Sequence, residues 1–394
     1  MATAAQQLPG EQSTEQRIRD VKEATRGVTE QYPREYLLKC IAEGRFPEDC
    51  WRALGEFGLL GLSIPEEHGG SGGGVLEMTA LMEGLAEAGI PMLFLIVTGL
   101  ARVPIVKHGT LDQIQRFVQP TVSGEKKLCF AITEPNAGTN SFAMTTLATR
   151  DAEGYVLSGQ KVFISGADEA DWILVVARTT KVSDVEHRSE GMSLFVVDAK
   201  DPNIRMQALN IQAEAPEKQF LVFFDEVRVP AENLVGEEGR GLAGMFDSLN
   251  AERLLVAAMS LGTGDYALKK AVDYANTRAP FGKPIGSYQA LQHRMALAKA
   301  ELEAARLMTY SAAASFDRGE SAGGQANMAK LLASRAGTQA VEAALQTHGG
   351  YAFDRDYDVV TLWPLVRLME IAPINNEMLL NYVGQHVLGL PKSY

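Results

Sequence analysis

A strand followed by a turn rich in hydroxyl groups lies at residues 130–140. The strand supplies Phe130 and Ile132, and the turn supplies Thr133 and Thr139. Hydroxyls and backbone N–H groups in such a turn can closely approach a planar ring edge and an anionic pyrophosphate. An ordinary strand-ending turn has the same composition, so this run alone leaves both interpretations open.

Three later runs combine aromatic, hydroxyl or cationic side chains with glycine. They are Phe163 with Ser165, Arg278 with Phe281, and Gln346 with Gly349 and Gly350. Alternate residues of a strand share one face, so a ring and a hydroxyl would lie on the same side. A guanidinium at a helix break can bind a phosphate, and paired glycines at a helix end permit close backbone approach. Each run also has an ordinary structural interpretation. In the order given, these are a phenylalanine in the core, a solvated loop between helices and a plain helix end.

Three blocks of sequence must position these side chains. Residues 1–127 have mostly helical spacing, 128–235 have short β-rich runs between turns, and 236–394 have long Ala/Leu-rich stretches. The predicted strands are 128–133, 155–157, 162–165, 172–177, 193–197 and 220–224, and the predicted C-terminal helices are 242–276, 289–318 and 326–347. This order predicts an α+β multidomain protein with a helical domain, a β domain and a helical bundle.

Composition excludes several classes of function. The chain has 394 residues, and its 37 Lys+Arg against 49 Asp+Glu give a net charge of −12, which disfavours nucleic acid as a partner. It contains no run of about 18 apolar residues, so no membrane span is predicted. Cys40, Cys50 and Cys129 are scattered, which predicts neither disulfides nor a metal site and fits a reducing, cytoplasmic compartment.

In their order and spacing, these runs resemble the motifs of the acyl-CoA dehydrogenase family of flavoenzymes. The marks are Thr133-Glu134-Pro135-x-Ala137-Gly138-Thr139, Gly159-Gln160-Lys161-x-Phe163-Ile164-Ser165, Phe224-Asp225-Glu226-Val227-Arg228-Val229-Pro230, Arg278-x-x-Phe281-Gly282-Lys283-Pro284-Ile285 and Gln346-x-x-Gly349-Gly350. The resemblance implies an N-terminal helical domain, a β-barrel-like middle domain and a C-terminal four-helix bundle, assembled as a homotetramer. It also implies FAD, an acyl-CoA substrate and an electron-transfer flavoprotein as partner.

The resemblance also assigns the FAD contacts by position. They are Phe130, Ile132, Thr133, Thr139, Phe163, Ser165, Arg278, Phe281, Gln289, Gln346, Gly349, Gly350, Asn375 and Glu377. Phe163 matches the aromatic residue that covers the flavin ring, and Ser165 matches the hydroxyl near N5. Arg278 and Phe281 match residues that reach the FAD of a neighbouring subunit, which would tie oligomerisation to cofactor binding.

The catalytic base is not expected at the family's commonest position. That position, in a C-terminal Tyr-Glu-Gly-Thr segment, corresponds to Pro373, which cannot accept a proton. A minority branch, which includes isovaleryl-CoA dehydrogenase, has its base in a Leu-Asp-x-Glu-Arg segment, which matches Glu252 here. A helical row through Met245, Leu249, Glu252 and Val256 would face inward, and partial burial would raise the pKa of the carboxyl. An exposed glutamate paired with a cation is the alternative.

The implied reaction removes the Cα proton to Glu252 and the Cβ hydride to flavin N5, giving a trans-2-enoyl-CoA. Thr139, Asn250 and Arg253 match substrate positions, and the acyl pocket is expected along residues 90–106 and the helix of Glu252. The same fold could instead serve a reductive or non-redox enzyme, similar to crotonobetainyl-CoA reductase or a desulfinase, or a catalytically silent partner subunit. Residues 213–218 depart from the family's pattern and suggest no role.

Overall fold

The structure is a computed structural model that describes residues 13–392, without the side chains of residues 243, 244, 246 and 247. The helices that precede the sheet are α1 (Thr14–Gln31), α2 (Arg34–Ala42), α3 (Glu48–Glu56), α4 (Val75–Glu87), α5 (Leu93–His108), α6 (Leu111–Gln113) and α7 (Gln119–Val122). A π-helical turn at Ile114–Val118 joins the last two. Trp51, Phe94 and Phe195 belong to one core that these helices share with the sheet.

Capping explains where two of these helices begin. The first N–H groups of a helix lack partners within the helix and need other acceptors. At α1 the hydroxyl of Ser13 accepts a hydrogen bond from Gln16 N at 3.2 Å. At α4 the acceptor comes from the far end of the chain, because the Asp317 carboxylate binds Val75 N at 2.8 Å and Leu76 N at 2.9 Å. This contact joins the N-terminal and C-terminal helices.

The middle of the chain forms an eight-stranded sheet. Its strands are β1 (Leu128–Ala131), β2 (Leu147–Arg150), β3 (Gly154–Ser165), β4 (Trp172–Arg178), β5 (Met192–Asp198), β6 (Ile204–Ala208), β7 (Gln219–Pro230) and β8 (Leu234–Val235). The strand order is β6-β7-β3-β2-β4-β5-β8, and β1 pairs with β4 in parallel. The long antiparallel pair β3–β7 has register shifts, one of which falls between Lys161 and Ile164.

The C-terminal region is helical. Its helices are α8 (Gly241–Thr277), α9 (Gln289–Asp317), α10 (Gly323–His348), α11 (Trp363–Ile371) and α12 (Asn376–Tyr382). The three long helices pack through small side chains, and the buried cluster between them includes Ala257, Leu302 and Ala340. Gly337 is required at the crossing of α8 and α10, because a Cβ there would lie 2.6 Å from Ser260 O.

The predicted order of helices, sheet and helices is confirmed. The three long C-terminal helices agree closely with their predicted bounds, whereas the strands predicted at 155–157 and 162–165 are parts of one strand, β3. Strands β2, β6 and β8 were not predicted. The domain limits after residues 127 and 235 remain predictions.

Three predicted absences can be compared with the described part of the chain. Within residues 13–392, no helix combines the length and apolarity needed to cross a membrane. Cys40, Cys50 and Cys129 are buried and unbridged. In the same stretch, no cluster of three or more His, Cys, Asp or Glu side chains is arranged to hold a metal ion.

Candidate active site

A buried ion pair fixes the turn that follows β1. The Glu134 carboxylate accepts hydrogen bonds from Thr145 N at 2.7 Å and Thr146 N at 2.9 Å. Lys161 Nζ donates to Glu134 Oε1 and to Ile132 O, both at 2.9 Å. Burial raises the pKa of Glu134, but the Lys161 ammonium and the hydrogen bonds outweigh it and hold this pKa at about 2. Burial lowers the pKa of Lys161 to about 8.

Phe163 projects from β3 into solvent. Its φ is +58°, in the left-handed region that residues other than glycine rarely adopt. The ring is 58 % exposed, whereas Lys161 on the same strand is fully buried. A backbone conformation of this kind costs about 1–3 kcal/mol and persists where the surroundings enforce it. The register shift before Ile164 interrupts the simple alternation that predicts one shared face for Phe163 and Ser165.

The turn and the strand of Phe163 lie side by side. Val162 N donates to Thr133 O at 2.8 Å, so the turn is bonded to β3 directly before Phe163. Ser165 is buried and its hydroxyl donates to Gln219 Oε1 at 3.0 Å. Phe130, on β1, is also buried. The structure therefore brings together the predicted ring-covering residue and the predicted pyrophosphate turn.

The segment between α11 and α12 reaches the same turn. Asn375 Nδ2 lies 3.5 Å from Thr139 Oγ1. Behind Asn375, the fully buried Lys330 of α10 donates to Ile374 O at 2.8 Å and to Asn376 Oδ1 at 3.0 Å. Burial lowers the pKa of Lys330 to about 8. A buried lysine thus holds the segment that carries Asn375 to the edge of the turn.

Glu252 is a partly buried residue of α8. Met245 and Val256 of the predicted inward row are each 2 % exposed, whereas Leu249, like Glu252, is only partly buried. Burial raises the pKa of the Glu252 carboxyl to about 8, although the charges of Arg253 and Lys330 act in the opposite direction. Within the described chain, no residue forms a hydrogen bond or an ion pair with this carboxylate. A carboxyl with a pKa near neutral pH is suited to accept a proton from carbon.

Arg253 and Asn250 lie one turn apart on α8. Arg253 Nη1 donates to Asn250 Oδ1. Burial lowers the pKa of Arg253, while the neighbouring Glu252 carboxylate acts to raise it. The guanidinium has five N–H donors, so most remain available to an anionic or amide-rich ligand.

A second group of predicted residues surrounds an open cavity of about 580 Å³ at the end of α10. Arg278 and Gly350 line it together with Tyr274, His348 and Tyr351. The rings of Tyr274 and His348 are stacked with centroids 4.4 Å apart, and the Arg278 guanidinium lies 5.9 Å from the centre of the Tyr351 ring. The cavity therefore combines a cation with aromatic faces.

The remaining predicted residues are on the surface. Phe281, Gln289, Gln346, Gly349 and Glu377 are all exposed, and the Phe281 side chain is 81 % exposed. Among residues 13–392, no hydrogen bond, ion pair or ring contact joins any of them to Phe163 or Thr139. Arg278 and Gly350 thus line the cavity, whereas these five residues lie on the surface outside its lining.

Sequence reasoning missed Lys330 and Tyr274 and gave Lys161 no role. Lys330 interrupts an apolar stretch of α10, and a lysine on a buried helix face needs an acceptor. That signal was available. Tyr274 gave no signal, because an aromatic residue in a long helix is ordinarily part of the core.

Models of the N-terminal, middle and C-terminal domains of acyl-CoA dehydrogenases match residues 14–125, 129–218 and 239–388. The chain belongs to the acyl-CoA dehydrogenase family. It is 41 % identical over 366 residues to the acyl-CoA dehydrogenase FadE12 of Mycobacterium tuberculosis, which covers 92 % of this chain and 94 % of that one. It is 34 % identical to CarC, a subunit of the caffeyl-CoA reductase-Etf complex of Acetobacterium woodii, over 86 % of this chain and 89 % of CarC.

The fold agrees with that of a solved acyl-CoA dehydrogenase. The butyryl-CoA dehydrogenase of Megasphaera elsdenii superposes with a TM-score of 0.89 at 30 % identity, covering 97 % of this chain and all of the other. Acyl-CoA dehydrogenases are FAD enzymes. The residues present fit that cofactor, since the exposed Phe163 ring offers a stacking surface. Gly138 leaves open space where a side chain would stand, beside the exposed Thr139.

Proposed function

We propose that the protein catalyses FAD-dependent α,β-dehydrogenation of an acyl-CoA thioester to the trans-2-enoyl-CoA, with Glu252 as the base that takes the Cα proton. When bound, FAD supplies the acceptor for the Cβ hydride. The observation that carries the proposal is the Glu252 carboxyl. This carboxyl is partly buried, and its pKa is raised to about 8. It forms no hydrogen bond or ion pair with a described side chain.

The surroundings of Glu252 support both protonation states that the reaction needs. Arg253 and Lys330 favour the carboxylate, which must be present before the proton is taken. Burial favours the neutral acid, which is the form that results from proton transfer. The proton therefore ends on a carboxyl oxygen of Glu252 without leaving a buried, unpaired charge.

Substrate would be held by side chains close to the base. Arg253 and Asn250 are the proposed contacts of the CoA arm, and Thr139 is the proposed contact on the side of the turn. Helix α5 is the proposed wall of the acyl pocket. Its residues Leu93 and Val97 are only partly buried, although the neighbouring Phe94 is fully buried.

The proposed FAD site uses both groups of residues. At the turn, Phe163 would cover the flavin ring and Ser165 would lie near N5, with Phe130, Ile132, Thr133, Thr139, Asn375 and Glu377 around them. Arg278 at the cavity and the exposed Phe281 would contact the FAD of a neighbouring subunit in a homotetramer. The proposed contacts on the adenine side are Gln289, Gln346, Gly349 and Gly350. The exposure of Phe281 supports a contact between subunits. An electron-transfer flavoprotein is the proposed electron acceptor, and the cytoplasm the proposed compartment.

The reverse reaction is the second candidate. CarC belongs to a complex named for caffeyl-CoA reduction, and it is 34 % identical to this chain. In that direction Glu252 would deliver its proton to Cα of an enoyl thioester. The position of Glu252 serves both directions equally, because a base for one is the acid for the other.

Anaerobic bleaching of the flavin band tests the proposal. The holoenzyme is mixed with short, branched, long and aromatic acyl-CoAs, as wild type, Glu252→Gln and Asp273→Asn. Asp273 is an exposed residue of the same helix and serves as the matched control. We expect one thioester to bleach wild type and Asp273→Asn, with a rate at least about 100-fold lower for Glu252→Gln.

Other results would contradict parts of the proposal. Equal bleaching of Glu252→Gln would show that Glu252 is not the base. If no acyl-CoA bleaches the flavin of the wild type but enoyl-CoAs reoxidise the photoreduced enzyme, the second candidate function, reduction of an enoyl-CoA, is the correct one. Bound flavin that responds to neither set would favour a non-redox enzyme or a silent partner subunit.

A further inference from the structure

The loop between β6 and β7, residues 209–218, contacts both helical regions. On one side, Glu214 forms an ion pair with Arg355, which follows α10, at 2.6 Å. On the other side, Glu217 Oε1 accepts a hydrogen bond from Phe94 N, near the start of α5, at 3.0 Å. Residues 213–218 of this loop are the segment that departs from the family's pattern and for which the sequence suggests no role.

Glu217 satisfies an N–H group at the beginning of α5. The N-cap residue Met92 forms no side-chain hydrogen bond, so the first turn depends on an acceptor from elsewhere. A carboxylate is favoured at this end of a helix by the helix dipole. Glu217 is only 3 % exposed, and its second oxygen, Oε2, is buried without a partner among the described residues. Keeping a carboxyl in such a place opposes stability, which points to a functional reason for it.

The same loop holds the flavin-facing end of β3. Gly166 N donates to Lys218 O at 2.8 Å, and the Ser165 hydroxyl donates to Gln219 Oε1 at 3.0 Å. Gly166 also lies directly against Phe94, because a Cβ on this glycine would stand 2.6 Å from the Phe94 ring. Residues 217–219 therefore bind the end of the strand that carries Ser165 and the start of α5 at one junction.

We propose that Glu217 is a positioning residue that sets the separation between α5 and the flavin-facing end of β3, and thereby selects the acyl chain. The inference rests on the proposed function, in which α5 is one wall of the acyl pocket and Ser165 lies near flavin N5. Loss of the Glu217 acceptor would release the first turn of α5, including Leu93. The shape of the pocket would then change while the base on α8 stays in place.

Two substitutions at Glu217 and one control test this inference in the holoenzyme. Glu217→Ala removes the acceptor for Phe94 N. Glu217→Gln keeps an amide oxygen there. Glu214→Gln changes the same loop at its exposed ion pair. For a series of acyl-CoAs of increasing length, we expect Glu217→Ala to raise KM for the preferred chain about tenfold and to shift the preference, with flavin content unchanged. Glu217→Gln and Glu214→Gln should keep the wild-type preference.

Hydrogen exchange supplies a readout that does not require turnover. The Phe94 amide should lose protection in Glu217→Ala and keep it in Glu217→Gln. The inference is overturned if Glu217→Ala lowers kcat/KM by one common factor for all chain lengths, or if its α5 protection equals that of wild type. A wild-type enzyme that reacts with no thioester would instead contradict the proposed function, so the two failures are distinct.

Discussion

Replacing Glu217 with glutamine should stabilise the protein at alkaline pH. Burial raises the pKa of this carboxyl from 4.5 to about 7, and the hydrogen bond from Phe94 N only partly offsets that rise. Glutamine has nearly the same shape and keeps an oxygen for Phe94 N, but it does not ionise. The substitution therefore removes the penalty of a buried charge while leaving the contact at α5 in place.

The magnitude follows from linkage between protonation and folding. A rise from 4.5 to about 7 corresponds to about 3 kcal/mol, at about 1.4 kcal/mol per unit. Because the folded-state pKa of Glu217 is the higher one, the folded protein binds more protons in this window. The free energy of unfolding therefore falls as pH rises from about 4.5 to about 7. Above about pH 7, ionisation of Glu217 causes no further fall. Glu217→Gln should exceed wild type by up to about 3 kcal/mol at about pH 8 and show no such advantage near pH 4.

Urea denaturation at a series of pH values, with FAD in fixed excess, measures this difference. All other titrating groups are shared, so they cancel when the variant is compared with wild type at each pH. Glu214→Gln is the control, because its ion pair with the exposed Arg355 contributes about 1 kcal/mol or less. A difference between Glu217→Gln and wild type that does not change between about pH 4 and about pH 8 would refute the reasoning.

Three further substitutions give distinct outcomes. Lys330→Met removes a charge that lowers the pKa of Glu252, so the acid limb of the pH profile of kcat/KM should move to higher pH. An acid limb at the wild-type pH would exclude electrostatic coupling between Lys330 and Glu252. Phe163→Gly should stabilise the apoprotein by about 1 kcal/mol in thermal unfolding, because glycine tolerates a φ of +58°. The same substitution should weaken FAD binding in an equilibrium titration. Tighter FAD binding would contradict a stacking role for the Phe163 ring. Lys161→Met leaves the Glu134 carboxylate buried without its partner cation, which should lower the free energy of unfolding in urea by about 3–5 kcal/mol. The double substitution Lys161→Met with Glu134→Gln should recover part of this loss. No recovery would show that the charge of Glu134 is not the cause.

The fold could be predicted because its elements have strong local patterns. The helices α8, α9 and α10 are long and rich in alanine and leucine, and β4 and β5 are continuous apolar runs. Strand β6 has exposed or half-exposed residues throughout, and β2 and β8 are short, so these three gave no clear signal. Their pairing partners, rather than their own residues, make them strands.

The surroundings of a candidate site residue were predictable only where its chemistry and its position in a helix point the same way. Glu252 combines a matching motif with an inward helical row, and the direction of its pKa agrees with the prediction. The conformation of Phe163 was not predictable, because simple alternation hides a bulge that depends on the partner strand. The contact of Glu217 could not be predicted from the sequence, because its hydrogen-bond partner is the backbone of Phe94, 123 residues away in the chain.

The Lys161 side chain is fully buried in its ion pair with Glu134, whereas the ring of Phe163, two residues further along β3, is 58 % exposed. This ion pair and the hydrogen bond from Val162 N to Thr133 O hold β3 directly before Phe163. Contacts within this chain therefore fix the backbone that leads to Phe163. A face that its own chain has already ordered lowers the entropic cost of binding a ligand there, which favours affinity.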